Sequence, residues 1–192
     1  MLLCADAAAA SADLAAGLLA CPSCPAGRLR PWGHGREREI RLLNGRRERL
    51  RPRRGRCGSC RTSHMLLPSW CAPRRADGIE VIGTGLALAL GGAGSRRIGR
   101  ELGVPAATAR GWLRRLRPKA EEMRRHAMFR LGFIGGSDPV LPAPAASPLG
   151  DALAAVAACA HAAITLHGYA RADLWPLLGQ FGLARFLAPA PG

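Results

Sequence analysis

Two cysteine pairs, Cys21-Pro22-Ser23-Cys24 and Cys57-Gly58-Ser59-Cys60, stand at the ends of an arginine-rich stretch of sequence. The 32 residues between them hold twelve arginines and three glutamates. Each pair offers two thiolates at the spacing of a metal-binding knuckle. Four thiolates complete the tetrahedron of a structural zinc site and leave no coordination position open for catalysis. We therefore predict a structural Zn²⁺ ion held by Cys21, Cys24, Cys57 and Cys60.

The positive charge is concentrated in the first two thirds of the chain. The 192 residues carry a formal net charge of +15, and residues 126–192 add nothing to it, with three basic and three acidic side chains. Every basic residue except Lys119 is arginine, whose planar guanidinium binds phosphate through two hydrogen bonds. A GC-rich genome would also enrich arginine, but the regional clustering favours a nucleic-acid partner.

Composition and periodicity divide the chain into five segments and predict an α+β fold. A small zinc ribbon is followed by an all-α helix-turn-helix domain and a short helical C-terminal tail. The segments are an alanine-rich start (1–20), the four-cysteine zinc ribbon (21–75), the helix-turn-helix domain (76–134), a linker rich in proline and glycine (135–148) and a helical C-terminal segment (149–192).

The local signals within the first two segments predict one helix and three strands. Residues 11–19 predict a short helix that Ser11 caps. Strands are expected near 29–32, 40–43 and 47–53, and Asn44-Gly45 is typical of a hairpin turn. So few apolar residues cannot form a core alone, so we expect the metal to supply much of the folding free energy.

Residues 95–116 fit the pattern of a helix-turn-helix. Gly99 allows two helices to approach closely, and Gly103 supplies the left-handed residue that the turn needs. We expect Ser95 to cap the first helix and Pro105 to start the next one. The side chains expected to face inward are Ile98, Leu102, Val104, Ala109 and Trp112.

The outward positions of the second helix are the candidates for reading DNA. Arg110 and Arg114 can reach guanine edges in the major groove, whereas Arg96 and Arg97 are placed for backbone phosphates. The alternative is an ordinary helical hairpin with a solvated arginine face. The predicted DNA-binding residues are Arg53, Arg54, Arg56, Arg96, Arg97, Arg110, Arg114 and Arg117.

With both motifs in place, residues 21–117 resemble the amino-terminal DNA-binding region of insertion-sequence transposases, in which a zinc ribbon precedes a helix-turn-helix. They resemble still more closely an uncharacterised actinobacterial family of that architecture. The resemblance is carried by four stretches: Cys21 to Cys24, Arg53 to Pro68, Arg74-Arg75 and Ile98 to Arg115. It implies a transcriptional regulator or a transposase-derived DNA-recognition module.

The rest of the chain departs from those transposases, whose catalytic domain holds two metal ions with three carboxylates. No glutamate follows Glu122, and the later acids are Asp138, Asp151 and Asp173 on a linker and a short tail. Two-metal phosphoryl chemistry needs converging carboxylates on a rigid scaffold. We therefore predict that the protein is not an enzyme, has no catalytic residues and takes no small-molecule substrate.

A second reading keeps the zinc ribbon but changes its partner. An RNA-binding or protein-docking adaptor would use the arginines to contact structured RNA or an acidic protein. Single-stranded base stacking is disfavoured, because Trp32 and Trp70 are the only aromatic residues of the ribbon region. A redox role for either cysteine pair lacks the thioredoxin-like context that it requires.

The remaining residues predict location and assembly. No apolar run approaches the length of about 20 residues that crosses a bilayer, so we expect no membrane association and a cytoplasmic, nucleoid-associated protein. The C-terminal helices either pack back on the helical domain or pair with a second copy of the chain to form a homodimer. The predicted partner of the protein is double-stranded DNA. Cys4, Cys71 and Cys159 have no partner spacing, and His34 and His64 are expected at the surface or beside a metal ligand.

Overall fold

The first third of the chain builds a four-stranded sheet and a separate hairpin. The computed structural model describes residues 1–169, 174–180 and 184–187. The strands are β1 (Leu2–Cys4), β2 (Leu29–His34), β3 (Arg38–Arg41), β4 (Arg47–Leu50), β5 (Arg53–Cys57) and β6 (Ser63–Pro68). The sheet has the order β1, β6, β5, β2, in which β1 runs parallel to β6 and the other two pairs are antiparallel.

The hairpin between β3 and β4 confirms the turn that Asn44-Gly45 predicts. Asn44 has φ 58° and Gly45 has φ 71°, both in the left-handed region that this dipeptide adopts at little cost. The sequence did not predict β1, β5 and β6. The residues of β5 are Arg-Arg-Gly-Arg-Cys, which lack the apolar alternation that marks a strand, so pairing with its neighbours decides its conformation.

The alanine-rich N-terminal segment forms helix α1 (Ala7–Ala15), and its apolar side packs on the sheet. The helix begins earlier than predicted because Asp6, not Ser11, caps it. The Asp6 carboxylate accepts hydrogen bonds from the N–H groups of Ala8 at 2.7 Å and Ala9 at 3.0 Å. Ser11 lies inside the helix and donates to the carbonyl of Ala7.

The remainder of the described chain is helical and shares one apolar core. The helices are α2 (Ile79–Leu90), α3 (Ser95–Leu102), α4 (Ala106–Leu116), α5 (Ala120–Ile134), α6 (Pro148–His167), α7 (Leu174–Gln180) and α8 (Ala184–Leu187). Ile79, Ile82 and Leu86 form the buried stripe expected of α2, whereas Leu90 at its end is 45% exposed. The architecture is mixed α+β with a small sheet, as the sequence predicts.

The C-terminal helices pack back on the helical part of the molecule. α6 lies along α5, α7 contacts α2, and α8 contacts α4. α6 is also long and apolar enough to span a membrane by length and composition, contrary to the expectation from sequence, but half of its most apolar window is buried inside the protein. A core helix meets the same criterion. Phe181, in the predicted apolar tail, lies outside the described residues.

Candidate metal centre and basic surfaces

Four cysteine side chains converge where β2 begins and β5 ends. Cys21 and Cys24 precede β2, Cys57 is the last residue of β5, and Cys60 lies on the turn that leads into β6. Their Sγ atoms all lie within 4.8 Å of one another. The closest pairs are Cys21 with Cys60 at 3.7 Å and Cys24 with Cys57 at 3.6 Å. Residues 36 positions apart in sequence thus form one cluster that can hold a metal ion.

Gly27 closes the first cysteine loop directly against this cluster. A Cβ atom on Gly27 would overlap the Sγ of Cys57 and lie 2.6 Å from the Sγ of Cys24. The loop is fixed there because the N–H of Cys21 donates to the carbonyl of Gly27 at 2.8 Å. Only glycine leaves room for the sulfur atoms at this position.

Hydrogen bonds stabilise thiolates at the cluster. The N–H of Ser23 donates to Cys21 Sγ at 3.3 Å, and the N–H of Cys60 donates to Cys57 Sγ at 3.4 Å. A hydrogen bond from the Thr62 side chain lowers the pKa of Cys60 to about 6, while the neighbouring sulfur of Cys57 raises the pKa of Cys24 to about 12. Thiolates this close repel one another unless a cation neutralises them, so the cluster suits a metal ion.

His64 is a neighbour of the cluster. Its side chain is buried, and Nε2 lies 3.6 Å from Cys21 Sγ and 3.4 Å from Ser23 Oγ. This position agrees with the expectation of a histidine beside a metal ligand, whereas His34 is exposed. Burial lowers the pKa of His64 and favours the neutral imidazole, which can donate one hydrogen bond to a thiolate.

The other cysteines do not join the cluster. Cys4, Cys71 and Cys159 are free thiols. Burial raises the pKa of Cys71 to about 12 and that of Cys159 to about 11, so both stay protonated at neutral pH. Cys159 donates to the carbonyl of Ala127 at 2.9 Å, which joins α6 to α5. The buried thiols of Cys71 and Cys159 therefore contribute to packing.

The α3–α4 pair has the close contact and the turn that its glycines predict. Gly103 ends α3 with φ 63°, and a Cβ on Gly99 would lie 2.7 Å from the carbonyl oxygen of Val104. Ser95 is the first residue of α3 and not its cap, because Gly94 takes that position without a side-chain hydrogen bond. The predicted inward side chains Ile98, Val104, Ala109 and Trp112 are buried, and Leu102 is partly buried.

Three of the predicted DNA-binding arginines line one groove. Arg110, Arg114 and Arg117 project from α4 and the turn that follows it, and all three are exposed. Ser95, at the start of α3, lies on the other side of this groove, which has a volume of about 650 Å³. None of the described residues that line it is acidic. The groove is therefore a concave, positively charged surface of the kind that attracts phosphate.

Arg96 and Arg97 lie on the first turn of α3, outside the side chains that line this groove. Both are exposed, as expected for phosphate contacts. Arg97 Nε donates to Glu101 at 2.6 Å, one turn further along the same helix. Part of the Arg97 charge is thus engaged within α3, which leaves Arg96 as the freer cation of the two.

Strand alternation separates the three predicted arginines of β5. Arg54 and Arg56 point to the outer face of the sheet, where the guanidinium carbon of Arg56 lies 4.6 Å from the ring centre of Trp32. Arg53 points to the side of α1 and lines a cavity there with Ala7 and Ser11. The predicted set thus occupies at least two separate surfaces, the α4 groove and the outer face of the sheet.

The sequence analysis did not predict that Gly27 lies against the cysteine cluster or that Arg56 packs on Trp32. Gly27 could have been found as the glycine three residues after Cys24, where a chain must turn around a metal site. Trp32 is half exposed on a strand that also presents Arg30. That alternation was visible in the sequence, but the arginine that packs on Trp32, Arg56, comes from β5.

Comparison with known proteins finds no matching family, no matching curated protein and no matching solved structure for this chain.

Proposed function

We propose that this protein is a zinc-stabilised DNA-binding protein, either a transcriptional regulator or a transposase-derived DNA-recognition module without a catalytic domain. The observation that carries the proposal is the groove of Arg110, Arg114 and Arg117 on a tightly packed α3–α4 pair. In this proposal α3 and α4 form a helix-turn-helix, and α4 enters the major groove of duplex DNA.

The cysteine cluster fits zinc best among common metal ions. Thiolate sulfur lies about 2.3 Å from zinc, so the edges of a regular tetrahedron of four sulfurs measure about 3.8 Å. The sulfur pairs at 3.6 and 3.7 Å agree with these edges. Bound zinc would neutralise the thiolates and fasten the start of β2 to the end of β5. The first module is then a zinc ribbon, and its metal is structural.

The positions of the arginines suggest which of them contact bases and which contact phosphates. Arg110 and Arg114 lie one turn apart on the exposed side of α4 and are proposed to contact base edges. Arg96 and Arg117 are proposed to bind phosphates on either side, which fixes orientation without reading sequence. The small side chains at Ala107 and Gly111 add no hydrogen bonds, so we expect modest sequence discrimination.

Binding of the zinc-loaded protein to duplex DNA and to structured RNA at several salt concentrations tests this proposal. If the arginines of the proposed zinc ribbon and of the helical part together neutralise about six phosphates, log affinity for DNA should fall with log salt at a slope near −5. The double variant Arg110→Ala/Arg114→Ala should bind duplex about 30-fold more weakly or worse. The matched control Arg46→Ala/Arg49→Ala removes two exposed arginines from the β3–β4 hairpin and should change affinity only a few fold.

Two results would contradict the assignment. Unchanged duplex binding by the α4 variant, or a preference of the wild type for structured RNA, would assign the function to the sheet module, which is the part of the chain that contains β1 to β6 and the cysteine cluster. Either result favours the alternative of a zinc-ribbon adaptor that contacts RNA or an acidic protein. A flat salt response would remove the electrostatic basis of both readings.

A further inference from the structure

The sheet has one apolar face and one basic face. Side chains of a strand alternate between faces, so Leu29, Gly55 and Leu66 point to α1 and are buried there. The residues between them point outward on β2, β5 and β6. These outward residues are Arg30, Trp32, Arg54, Arg56, Ser63, Met65 and Leu67. Leu67, at the end of β6, is buried against Ile40, Leu42 and Cys71, so the basic surface covers the rest of this face.

The outward arginines lie opposite one another rather than opposite acids. Arg30 pairs with Arg56 across β2 and β5, and Arg56 pairs in turn with Ser63 on β6. Like charges directly opposite on a sheet destabilise it. Among the described residues, none of the ion pairs involves Arg30, Arg54 or Arg56. The folded protein therefore maintains an uncompensated cluster of positive charge on this face.

Trp32 lies within this cluster. Its side chain is 50% exposed, and the guanidinium carbon of Arg56 sits 4.6 Å from its ring centre. Arg56 is held in place because its Nε donates to the carbonyl of Arg61 at 3.1 Å. The Arg56 guanidinium covers one face of the indole, so a nucleobase would stack on the exposed part of Trp32 that Arg56 leaves open.

An arginine-lined pocket adjoins the same face. It has a volume of about 430 Å³, and none of the described residues that line it is acidic. They are Met1, Gly35, Arg38, Arg54, Ser63, Met65, Leu67 and Arg74. The Nε and Nη2 atoms of Arg38 are buried and have no hydrogen-bond partner among the residues that the structure describes. Buried donors are almost always satisfied, so the Arg38 guanidinium has hydrogen-bonding capacity that the described residues do not use. A phosphate oxygen has the charge and geometry for a guanidinium.

We propose that the outer face of the sheet binds single-stranded nucleic acid, with an unpaired base stacked at Trp32 and a phosphate held by Arg38 and Arg54. A duplex is not the ligand, because its bases are stacked on one another and hide the faces that an indole would contact. Arg54 belongs both to the outward row and to the pocket, so it joins the base site to the phosphate site. The site shares no residue with the α4 groove.

The test uses the zinc-loaded full-length chain with fluorescein-labelled oligonucleotides of about 12 nucleotides, one of deoxythymidine and one of uridine. Both oligonucleotides should bind and quench tryptophan fluorescence. Trp32→Ala should weaken binding about tenfold or more, while Trp32→Phe keeps a stacking ring and should retain most of the affinity. Arg38→Gln should also weaken binding and make the salt slope shallower by about one.

Two controls separate this site from its surroundings and from the α4 groove. Phe133→Ala removes another exposed aromatic ring, on α5, and should leave oligonucleotide binding unchanged. Arg110→Ala/Arg114→Ala should lose duplex binding but keep oligonucleotide binding, so the two proposals can fail separately. Equal affinity for the two oligonucleotides would identify base and phosphate as the shared determinants, and a preference for uridine would add a contact to the 2′-hydroxyl.

The proposal is overturned if Trp32→Ala, with wild-type zinc content and circular dichroism, binds the oligonucleotides as tightly as the wild type does. If Trp32→Ala does not fold, the test is whether the oligonucleotides still quench tryptophan fluorescence in Trp32→Phe. Quenching in the wild type that persists undiminished in Trp32→Phe would come from another tryptophan and would also overturn the proposal.

Discussion

At the scale of single residues, the cysteine cluster depends on a residue that carries no side chain. Gly27 lies so close to Cys24 and Cys57 that a methyl group in its place would meet their sulfur atoms. The spacing of the cysteines identifies the four candidate ligands, but the space in which they meet is shaped by residues outside the cluster. His64, whose ring lies beside Cys21, is a second example.

We expect Gly27→Ala to lower metal affinity about tenfold or more, because the added Cβ must push two sulfurs out of the tetrahedron. The matched control is Gly58→Ala, since Gly58 lies within the second cysteine pair and a Cβ there meets nothing within 4 Å. Competition for zinc with a colorimetric chelator measures both variants. Equal affinities would show that the cluster adapts and that the close approach of Gly27 is not a constraint.

At the scale of elements, the α3–α4 pair is held by backbone contact. Gly99 faces the carbonyl of Val104 and the N–H of Ala106, which are backbone atoms that cannot rotate away. Trp112 is buried below this contact and packs against α2 at Gly85, so the exposed arginines of α4 are oriented by the core beneath them. A shift of α4 would therefore move its arginines together.

We expect Gly99→Ala to destabilise the protein by about 1–3 kcal/mol, the usual cost of overpacking, and to weaken duplex binding as α3 and α4 separate. Gly132→Ala is the control. Gly132 is also helical, but it is exposed on α5 with nothing within 4 Å, so alanine there should stabilise by about 0.5–1 kcal/mol. Urea unfolding followed by circular dichroism compares the two. A stabilising Gly99→Ala would contradict the close contact.

At the scale of the whole molecule, the sheet module and the helical part have separate apolar clusters of very different size. The cluster between α1 and the sheet consists of Ala10, Leu14, Cys21, Leu29, Cys57 and Leu66, two of which are metal-ligand candidates. The helical cluster draws on α2 to α8 and contains many more buried side chains. A second small cluster joins the hairpin to β6 through Ile40, Leu42, Leu67 and Cys71. We therefore expect the sheet module to be the part whose folding depends on a bound metal ion.

We expect a strong zinc chelator to unfold the sheet module while most of the helical signal remains. Structural zinc contributes on the order of 10 kcal/mol to folding of such modules, which the small sheet cluster cannot replace. Far-ultraviolet circular dichroism reports the helices, and proteolysis after the partly buried arginines of β5 reports the sheet. Re-addition of zinc should restore protection. Loss of all helical signal at the same chelator concentration would show that the two parts fold as one unit.

The sequence by itself determined the features that depend on local spacing. The four cysteines, the Asn44-Gly45 hairpin, the helical stripe of α2 and the glycines of the α3–α4 pair follow from intervals of a few residues, because knuckles, turns and helices are local structures. The helix starts were predicted less accurately. Asp6 caps α1 where Ser11 was expected, and Gly94 takes the cap position of α3 where Ser95 was expected.

Only the tertiary structure decided which distant residues share a surface. β1 pairs in parallel with β6 across more than 60 residues, and no local signal specifies such a partner. The register of β2 with β5 brings Arg30 to Arg56 and places Trp32 among arginines, although a count of aromatics from the sequence weighed against base stacking. Strand pairing is non-local, and its register sets the face of every side chain, so these surfaces exist only once the chain has folded.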